Sequence, residues 1–541
     1  MQIFHLFALI ALIGLSSVTQ ASSYLSKEIK REFASEILPI KSLLPGYQRN
    51  VFDAPRFAVA EFRIADEDLR HWSQAFAEIL RYRIQYVPGS RLYMPAPYYT
   101  HVDAGIVTDE DRPLVTRPKA FRTLYDSLGI DTVLTGQIET RGSKFALTVE
   151  LVETKSAKVL AKRKWSFAED RLPDVITIIT KWVYEFHQIK LTSQEMEYIE
   201  DRSAIEIDAI ETFLDNYHSL VKLEGLLQTQ KVESLYDDHP NFPLLAVYRL
   251  HTRKYGQNLD EAYQNLELYK EIRSRFVGHA GVELESYRVM EIESMPKHEV
   301  SSRLTRLRDL VVRNPQDPTM MIVYADALIQ NGQTFEGIGI LLEVTDRWPG
   351  QYRGWWSLGW ALNQHAWQVR GNDIWRNVPV KAQEVYTLLS DYSNLAVDKA
   401  LSLNPYSPNL WNMKLNAIGS KDGFTDELLE VFDKAAEIAP RNRLIYENAM
   451  NYSLARWGGH ASARLHIIET AEKNNPDSPA WLQSLKKRHV VDLDNWQKRL
   501  GTSAIENFIK AILDHPSGKY IGAVVIIVVL FVVFQMGRRS A

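Results

Sequence analysis

The chain carries two different hydrophobic patterns, one typical of short strands and one typical of long helices. Between residues 51 and 192, apolar residues alternate or form short runs, which predicts strands, and these runs are interrupted by segments with helical spacing. From residue 203 to residue 485 the helical period continues almost throughout. The pattern therefore predicts an α+β front domain followed by an all-α array.

The strands of the front domain are predicted to end in an antiparallel meander. Two short polar turns, Arg141-Gly142-Ser143 and Lys155-Ser156-Ala157, join alternating segments, as in hairpins. The predicted elements are a strand at 57–62, a helix at 66–85, a strand at 91–95, a helix at 117–129, strands at 130–140, 144–154 and 158–167, and a helix at 174–189.

The order of these elements, together with one short sequence box, resembles the amino-terminal domain of the TolB type. The box reads D-x-x-L-T-G-x-I, and its fixed positions are Asp131, Leu134, Thr135, Gly136 and Ile138. Related domains occur in the periplasmic regions of CadC-type membrane sensors. The resemblance implies a docking or sensing module rather than a catalyst.

A long loop between Pro95 and Pro118 departs from that family pattern. Binding residues are often placed on loops that a rigid scaffold supports, so this loop is one candidate for specificity. A solvated insertion without a binding role is the other interpretation.

Two groups of prolines punctuate the helical half, and within each group the intervals are close to the repeat length of about 34 residues found in tetratricopeptide (TPR) proteins. The first group is Pro315 and Pro349, and the second is Pro405, Pro440 and Pro476. Three of them belong to the boxes NPQDP, NPYSP and NPDSP, where a proline ends one helix and the next can begin. The spacing and the boxes resemble TPR repeats, which implies stacked helical hairpins with a groove for a partner segment.

The N-terminus resembles a secretory signal. An apolar stretch from Ile3 to Val18 is followed by Thr19-Gln20-Ala21, which offers a small-x-small cleavage site. The segment before the apolar stretch contains neither lysine nor arginine, so an uncleaved N-terminal anchor is the alternative.

The C-terminus carries a predicted membrane helix. Residues 520–537 contain no charged side chain, and as a helix they would span about 26 Å, against a hydrocarbon core of about 30 Å. Arg538 and Arg539 follow, which predicts a cytoplasmic C-terminus. The alternative is a sorting signal that is cut and re-anchored, although no Pro-Glu-Pro, Gly-Gly or LPxTG box precedes Ile521.

These patterns divide the chain into consecutive segments and predict a single-pass inner-membrane protein whose bulk is periplasmic. The predicted segments are a signal peptide at 1–21, a helical lead-in at 22–50, the TolB-like domain at 51–192, a degenerate helical region at 203–313, TPR-like repeats at 314–485 with an insertion at 363–391, an amphipathic stalk at 486–515, the membrane helix at 520–537 and a cytoplasmic tail at 538–541.

Composition removes several classes of chemistry. The sequence has no cysteine, which excludes disulfides, thiolate metal ligands and cysteine nucleophiles. A net charge of −4 gives no electrostatic reason to expect nucleic-acid binding. Common phosphate-loop, zinc-protease and nucleophile-elbow motifs do not occur. We therefore expect no enzyme, no catalytic residue, no cofactor and no metal; a hydrolase whose residues meet only in the folded chain is the alternative.

Four tryptophans fall within the segment GWWSLGWALNQHAW, residues 354–367. Trp355, Leu358, Gly359 and Leu362 match the W-x-x-L-G start of a TPR repeat, so Trp355 is expected in the core. The remaining aromatic residues cannot share that stripe, and with nearby arginines they can bind a peptide or an anionic group. The candidate partner-binding residues are Trp356, Trp360, Trp367, Arg370, Trp375 and Arg376. The alternative is an insertion that packs its own small core.

The sequence thus predicts a periplasmic adaptor or scaffold, tethered to the inner membrane, that binds a protein partner of the cell envelope through its repeats. The alternative is a periplasmic sensor, similar to a CadC-type sensory region without the DNA-binding domain, that signals through a partner.

Overall fold

The computed structural model describes residues 18–45, 55–69, 72–87, 121–122, 124–125, 130–201, 205–220, 229–252, 259–288, 297–315, 317–373, 375–405 and 407–499. These residues form a four-stranded sheet in the N-terminal part and a long series of helices after it, as the hydrophobic pattern predicts. They divide into two compact units. The first unit holds the described residues up to Lys421 together with Glu437–Ala439, and the second holds the others.

The sheet has its strands in chain order, which confirms the predicted meander. The strands are β1 (Phe57–Ile64), β2 (Thr132–Arg141), β3 (Lys144–Glu153) and β4 (Lys158–Phe167). β1 runs parallel to β2, and the β2–β3 and β3–β4 pairs are antiparallel. A two-residue turn joins β2 to β3, and its first residue, Gly142, has a φ of 66°, which glycine adopts without steric cost.

Helices lie before, between and after the strands in chain order and continue to the end of the described chain. In order they are α1 (Val18–Glu32), α2 (Ile40–Leu43), α3 (Trp72–Gln85), α4 (Leu172–Phe186), α5 (Ser193–Glu200), α6 (Ile207–Leu220), α7 (Thr229–Asp238), α8 (Pro243–Thr252), α9 (Leu259–Arg275), α10 (Ala280–Arg288), α11 (Lys297–Arg313), α12 (Pro318–Gln330), α13 (Thr334–Arg347), α14 (Tyr352–Arg370), α15 (Val380–Leu403), α16 (Pro408–Asp422), α17 (Asp426–Ile438), α18 (Arg443–Tyr452), α19 (Ala461–Asn474) and α20 (Pro479–Arg499).

Several predicted segments lie outside the described residues. They are the signal peptide up to residue 17, the strand at 91–95, the whole loop from Pro95 to Pro118, most of the helix at 117–129, the stalk beyond Arg499, the membrane helix at 520–537 and the tail at 538–541. The predicted cleavage site after Ala21 falls within α1. In the part of the chain that the structure describes, no helix combines the length and the apolar character needed to cross a bilayer.

The helix predicted to start at Asp66 begins later, at Trp72 among the described residues, so that boundary was wrong. The Asp66 carboxylate instead organises a local turn, because it accepts a hydrogen bond from the backbone N–H of Asp68 at 3.1 Å. Its other oxygen accepts from the Thr140 hydroxyl at 2.7 Å, at the end of β2. Aspartate favours this kind of local turn over a helical conformation.

Gly136 lies where three strands approach closely. A β-carbon at this position would be 2.2 Å from the carbonyl oxygen of Thr148 on β3 and 2.7 Å from the ring of Phe62 on β1. We expect Gly136→Ala to lower the free energy of unfolding by about 3 kcal/mol, because backbone and a buried ring must both move. Urea denaturation measures this loss. Gly142→Ala, which meets no atom within 4 Å, should cost only about 1 kcal/mol; equal losses would contradict the packing explanation.

His187 gives the sheet domain a dependence on pH. Its ring packs against Phe57 at 5.6 Å between centroids, and burial lowers its pKa from 6.5 to about 4. The unfolded chain therefore binds a proton at His187 more readily than the folded chain does. The stability of the folded chain that depends on neutral His187 is fully present above pH 6.5 and is lost as the pH falls towards 4. Burial also raises the pKa of Asp317 to about 6, and this shift favours the folded chain as the pH falls. The effect of His187 is therefore measured as a difference between two proteins that both contain Asp317.

We therefore expect the stability difference between the wild type and His187→Phe to change with pH. On going from neutral pH to about pH 4, the variant should gain up to about 3 kcal/mol relative to the wild type. Thermal denaturation of both proteins across this range measures the difference. A difference that does not change with pH would mean that His187 titrates normally in the folded chain.

The lead-in helix α1 packs on the helical array. It contacts α13 and α15, with Ile29 fully buried at the contact. The Ser26 hydroxyl lies 3.2 Å from the hydroxyl of Thr345, and Lys30 pairs with Asp346. The sequence pattern treated this helix as a separate segment, whereas the structure makes it part of the first unit.

Several boundaries between consecutive helices of the array share one hydrogen bond. At three of the boundaries, the carbonyl oxygen of the boundary proline accepts a hydrogen bond from an aromatic side chain six residues later. The pairs are Pro349 with Trp355 Nε1 at 2.9 Å, Pro405 with Trp411 Nε1 at 2.6 Å and Pro440 with the Tyr446 hydroxyl at 2.7 Å. At the first boundary Arg347 donates to the carbonyl oxygen of Pro315 at 2.8 Å. Each bond satisfies a carbonyl at the point where the chain turns between helices.

In the second unit, a buried arginine joins α19 to α20. Arg464 is 2 % exposed, and its Nη1 donates to the carbonyl oxygen of Ser453 at 2.7 Å. The same nitrogen lies 3.1 Å from Asp492, whose carboxylate also accepts from the backbone N–H of Ala455 at 3.1 Å. These contacts hold the second half of α20 against the preceding helices. The predicted stalk begins in this part of α20.

Candidate functional site on the hairpin of α14 and α15

The two adjacent tryptophans of α14 have opposite environments. Trp355 is 0 % exposed and its indole N–H is bonded to Pro349, so it is a core residue as expected. Trp356 is only partly buried and packs on the core from outside. A rotation of about 100° per residue places neighbouring side chains of a helix on different faces.

Trp356, Trp360 and Trp367 lie along one face of α14. They are separated by four and seven residues, and about 3.6 residues complete each turn, so the three indoles follow one another along a stripe. All three are partly buried and pack against the core of the first unit. The stripe is about 16 Å long at a rise of about 1.5 Å per residue.

The end of the stripe joins an aromatic cluster around Tyr386 of α15. The ring of Trp367 meets that of Tyr386 edge to face at 5.7 Å, and the ring of Trp375 does so at 5.5 Å. The Tyr386 hydroxyl donates to the carbonyl oxygen of Ser420, and Trp367 Nε1 donates to the Ser420 hydroxyl at 3.3 Å. The structure therefore brings together Trp367 and Trp375, which are separated by the turn between the two helices.

Arg370 and Arg376 add positive charge at this end. The Arg370 guanidinium lies 4.8 Å from the ring centroid of Trp367 and donates to the carbonyl oxygen of Gly371 at 3.0 Å. Arg376 is exposed in the short 3-10 turn Trp375–Asn377. Trp375 is 44 % exposed, which is high for a tryptophan. A cation beside an open aromatic face can contact both an apolar side chain and a carboxylate.

The candidate residues thus lie along α14 and in the turn that follows it. Trp356 is about three turns and Trp360 about two turns before the cluster. Tyr386 is the member that the sequence reasoning missed. Its spacing with Leu389, Ser393 and Ala396, all buried on α15, is the signal that could have placed it on the inner face of the hairpin. Residues 363–391 extend both helices and form the turn between them.

No known family matches the chain. A scan against protein-family models finds no match, and a search of curated proteins finds none either.

The surface offers aromatic faces, guanidinium groups and backbone carbonyls. Within the described ranges, no group of three or more histidine, aspartate or glutamate side chains is arranged to hold a metal ion. Aromatic residues next to arginine are the types that most often anchor protein interfaces. The arrangement is suited to binding a peptide segment.

Proposed function

We propose that this chain is an adaptor that binds a protein partner through the aromatic face of α14 and α15. The observation that carries the proposal is the stripe of partly buried tryptophans, Trp356, Trp360 and Trp367, which leads to the exposed Trp375. Single exposed apolar residues are ordinary on protein surfaces, but a line of large aromatic residues is typical of an interface.

The proposed partner segment is apolar with acidic residues. The stripe supplies shallow contacts for apolar side chains, and Arg370 and Arg376 supply the charge for one or two carboxylates at its end. Because Arg370 also lies over Trp367, its guanidinium is already oriented, which lowers the entropy lost on binding.

We also propose that the helical array is TPR-like and that the sheet domain is TolB-like. The bond between a boundary proline and an aromatic side chain six residues later supports the first, because it recurs at three boundaries. The element order and the tight packing at Gly136 support the second. The apolar segments near both ends, with Arg538 and Arg539 after the second one, support a periplasmic location with an inner-membrane tether.

Affinity purification after crosslinking in cells tests the adaptor role. The full-length chain is compared with the double variant Trp360→Ser and Trp375→Ser, and with a second double variant, Trp375→Ser and Arg376→Glu, whose two side chains are both exposed. We expect the principal partner to be lost or strongly depleted in both. The control is Val159→Ser with Leu160→Ser on the edge strand β4, where the exposed fractions are 44 % and 41 %.

A partner retained at wild-type yield by both surface variants would overturn the adaptor proposal. Circular dichroism of each purified variant verifies that the fold is intact, and the second variant removes only exposed side chains, so loss of folding does not complicate its result.

A further inference from the structure

A second feature of the first unit is a cavity between α9, α10 and α11. Its volume is about 440 Å³, within the range of about 300–1,000 Å³ that is usual for small-molecule sites. Four cations line it, against one carboxylate, Glu283, and two aromatic residues. The cations are Lys270, Arg273, Arg303 and Arg306; the aromatic residues are Phe276 and Tyr287.

Arg303 is the unusual member of this lining. Arg303 is only 3 % exposed, yet its Nε and Nη1 have no hydrogen-bond acceptor among the described residues. Asp326 is the carboxylate that attracts it electrostatically, but burial outweighs this attraction and lowers the pKa of Arg303 to about 10. Buried donors without acceptors are costly, and a bound anion would supply the acceptors.

The other cations are held at the wall and rim of the cavity. The Arg273 guanidinium lies 4.5 Å from the ring centroid of Tyr287, and its Nη1 donates to the Ser286 hydroxyl at 3.5 Å. Arg306 lies one turn after Arg303 on α11 and is exposed. A partly buried cation at the wall and an exposed one at the rim are suited to capturing an anion from solution.

Two ion pairs involve residues of the cavity lining. Glu283 lies 3.8 Å from Arg313, which is outside the cavity lining, and Lys270 pairs with Glu267 at 3.0 Å. Four cations and a single carboxylate line the cavity, so a dianion fits it better than a single carboxylate does.

We propose that this cavity binds a small molecule that carries a phosphate group. The phosphate would accept from Arg303 in the interior and from Arg273 and Arg306 nearer the opening. An aromatic or apolar part of the ligand would lie against Phe276 and Tyr287. This site does not rest on the adaptor proposal, because it lies on different helices and uses none of the tryptophans.

Isothermal titration of the full-length chain tests the site with three probes: inorganic phosphate, phenyl phosphate, and vesicles of phosphatidylcholine containing phosphatidic acid. We expect phenyl phosphate to bind, because it joins a dianion to an aromatic ring, and phenylacetate at matched ionic strength to bind at least about tenfold more weakly. Tighter binding of inorganic phosphate would identify a free ion as the ligand, and binding of the vesicles alone would identify a lipid headgroup.

Two variants and one control assign the binding to these residues. Arg306→Gln removes an exposed cation of the rim and Arg303→Gln removes the buried one; each should weaken binding by at least about tenfold. Arg308→Gln is the control, because it makes the same change on the same helix at a residue outside the lining that pairs with Asp309. The proposal is overturned if no probe binds the wild type, or if Arg306→Gln and Arg308→Gln affect binding equally.

Discussion

Replacing Trp355 by alanine should lower the free energy of unfolding by about 3–5 kcal/mol, the range for removing a large aromatic residue from a core. Trp355 is fully buried, and its loss would also leave the carbonyl oxygen of Pro349 without its indole donor. Urea denaturation followed by circular dichroism measures the change. The loss should appear in the transition of the first unit, which contains α14.

Trp375→Ala is the matched control, since it removes the same side chain from a position that is 44 % exposed. We expect it to cost less than about 1 kcal/mol, as most surface substitutions do. Similar losses in the two variants would mean that the division of the tryptophans into a core residue and surface residues is wrong.

Replacing Ile29 by aspartate should detach α1 from the helical array. Ile29 is fully buried against it, and the neighbouring ring of Phe33 lies 5.8 Å from that of Phe335 on α13. The substitution loses the apolar contact and places a carboxylate in the same space, so we expect a loss of about 4 kcal/mol or more. Thermal denaturation measures the loss, and limited proteolysis should cut within α1 before the rest of the chain.

Lys27→Asp is the control on the same helix, because Lys27 is exposed and the new side chain is identical. It should leave both the transition temperature and the proteolysis pattern close to those of the wild type. If Ile29→Asp also leaves them unchanged, the packing of α1 on α13 and α15 does not contribute to stability.

The elements with a regular period could be predicted from the sequence. The β2–β3–β4 meander has alternating apolar residues joined by short turns, and the structure confirms both the strands and their pairing. The helical array could be predicted because its apolar residues keep a helical period, and each helix must bury its apolar face. Trp355 was placed correctly in the core for the same reason.

The features that depend on distant residues could not be predicted. The packing of α1 on α13 joins residues more than three hundred positions apart, as the contact between Ser26 and Thr345 shows, and no local pattern specifies it. The basic cavity is assembled from α9, α10 and α11, whose charges look like solvated helix faces in the sequence. Local chemistry also overrode the periodic pattern at Asp66, where the carboxylate forms a turn instead of starting a helix.

The candidate partner surface was predicted in part. The sequence could separate Trp355 from the other tryptophans by helical geometry, but it could not show that Trp367 and Trp375 share one ring partner. That partner, Tyr386, lies on the next helix, α15. The sequence pattern does not specify how the chain turns between the two helices.

The most direct test of the adaptor proposal is site-specific photo-crosslinking in cells. A photoreactive phenylalanine analogue replaces Trp375, and a second protein carries it at Leu444, which is 55 % exposed and lies outside the first unit. The adaptor account predicts one discrete crosslinked protein from position 375 that is absent from position 444 and lost when Trp360→Ser is added. The account is contradicted if position 375 yields no crosslink, or yields the same products as position 444.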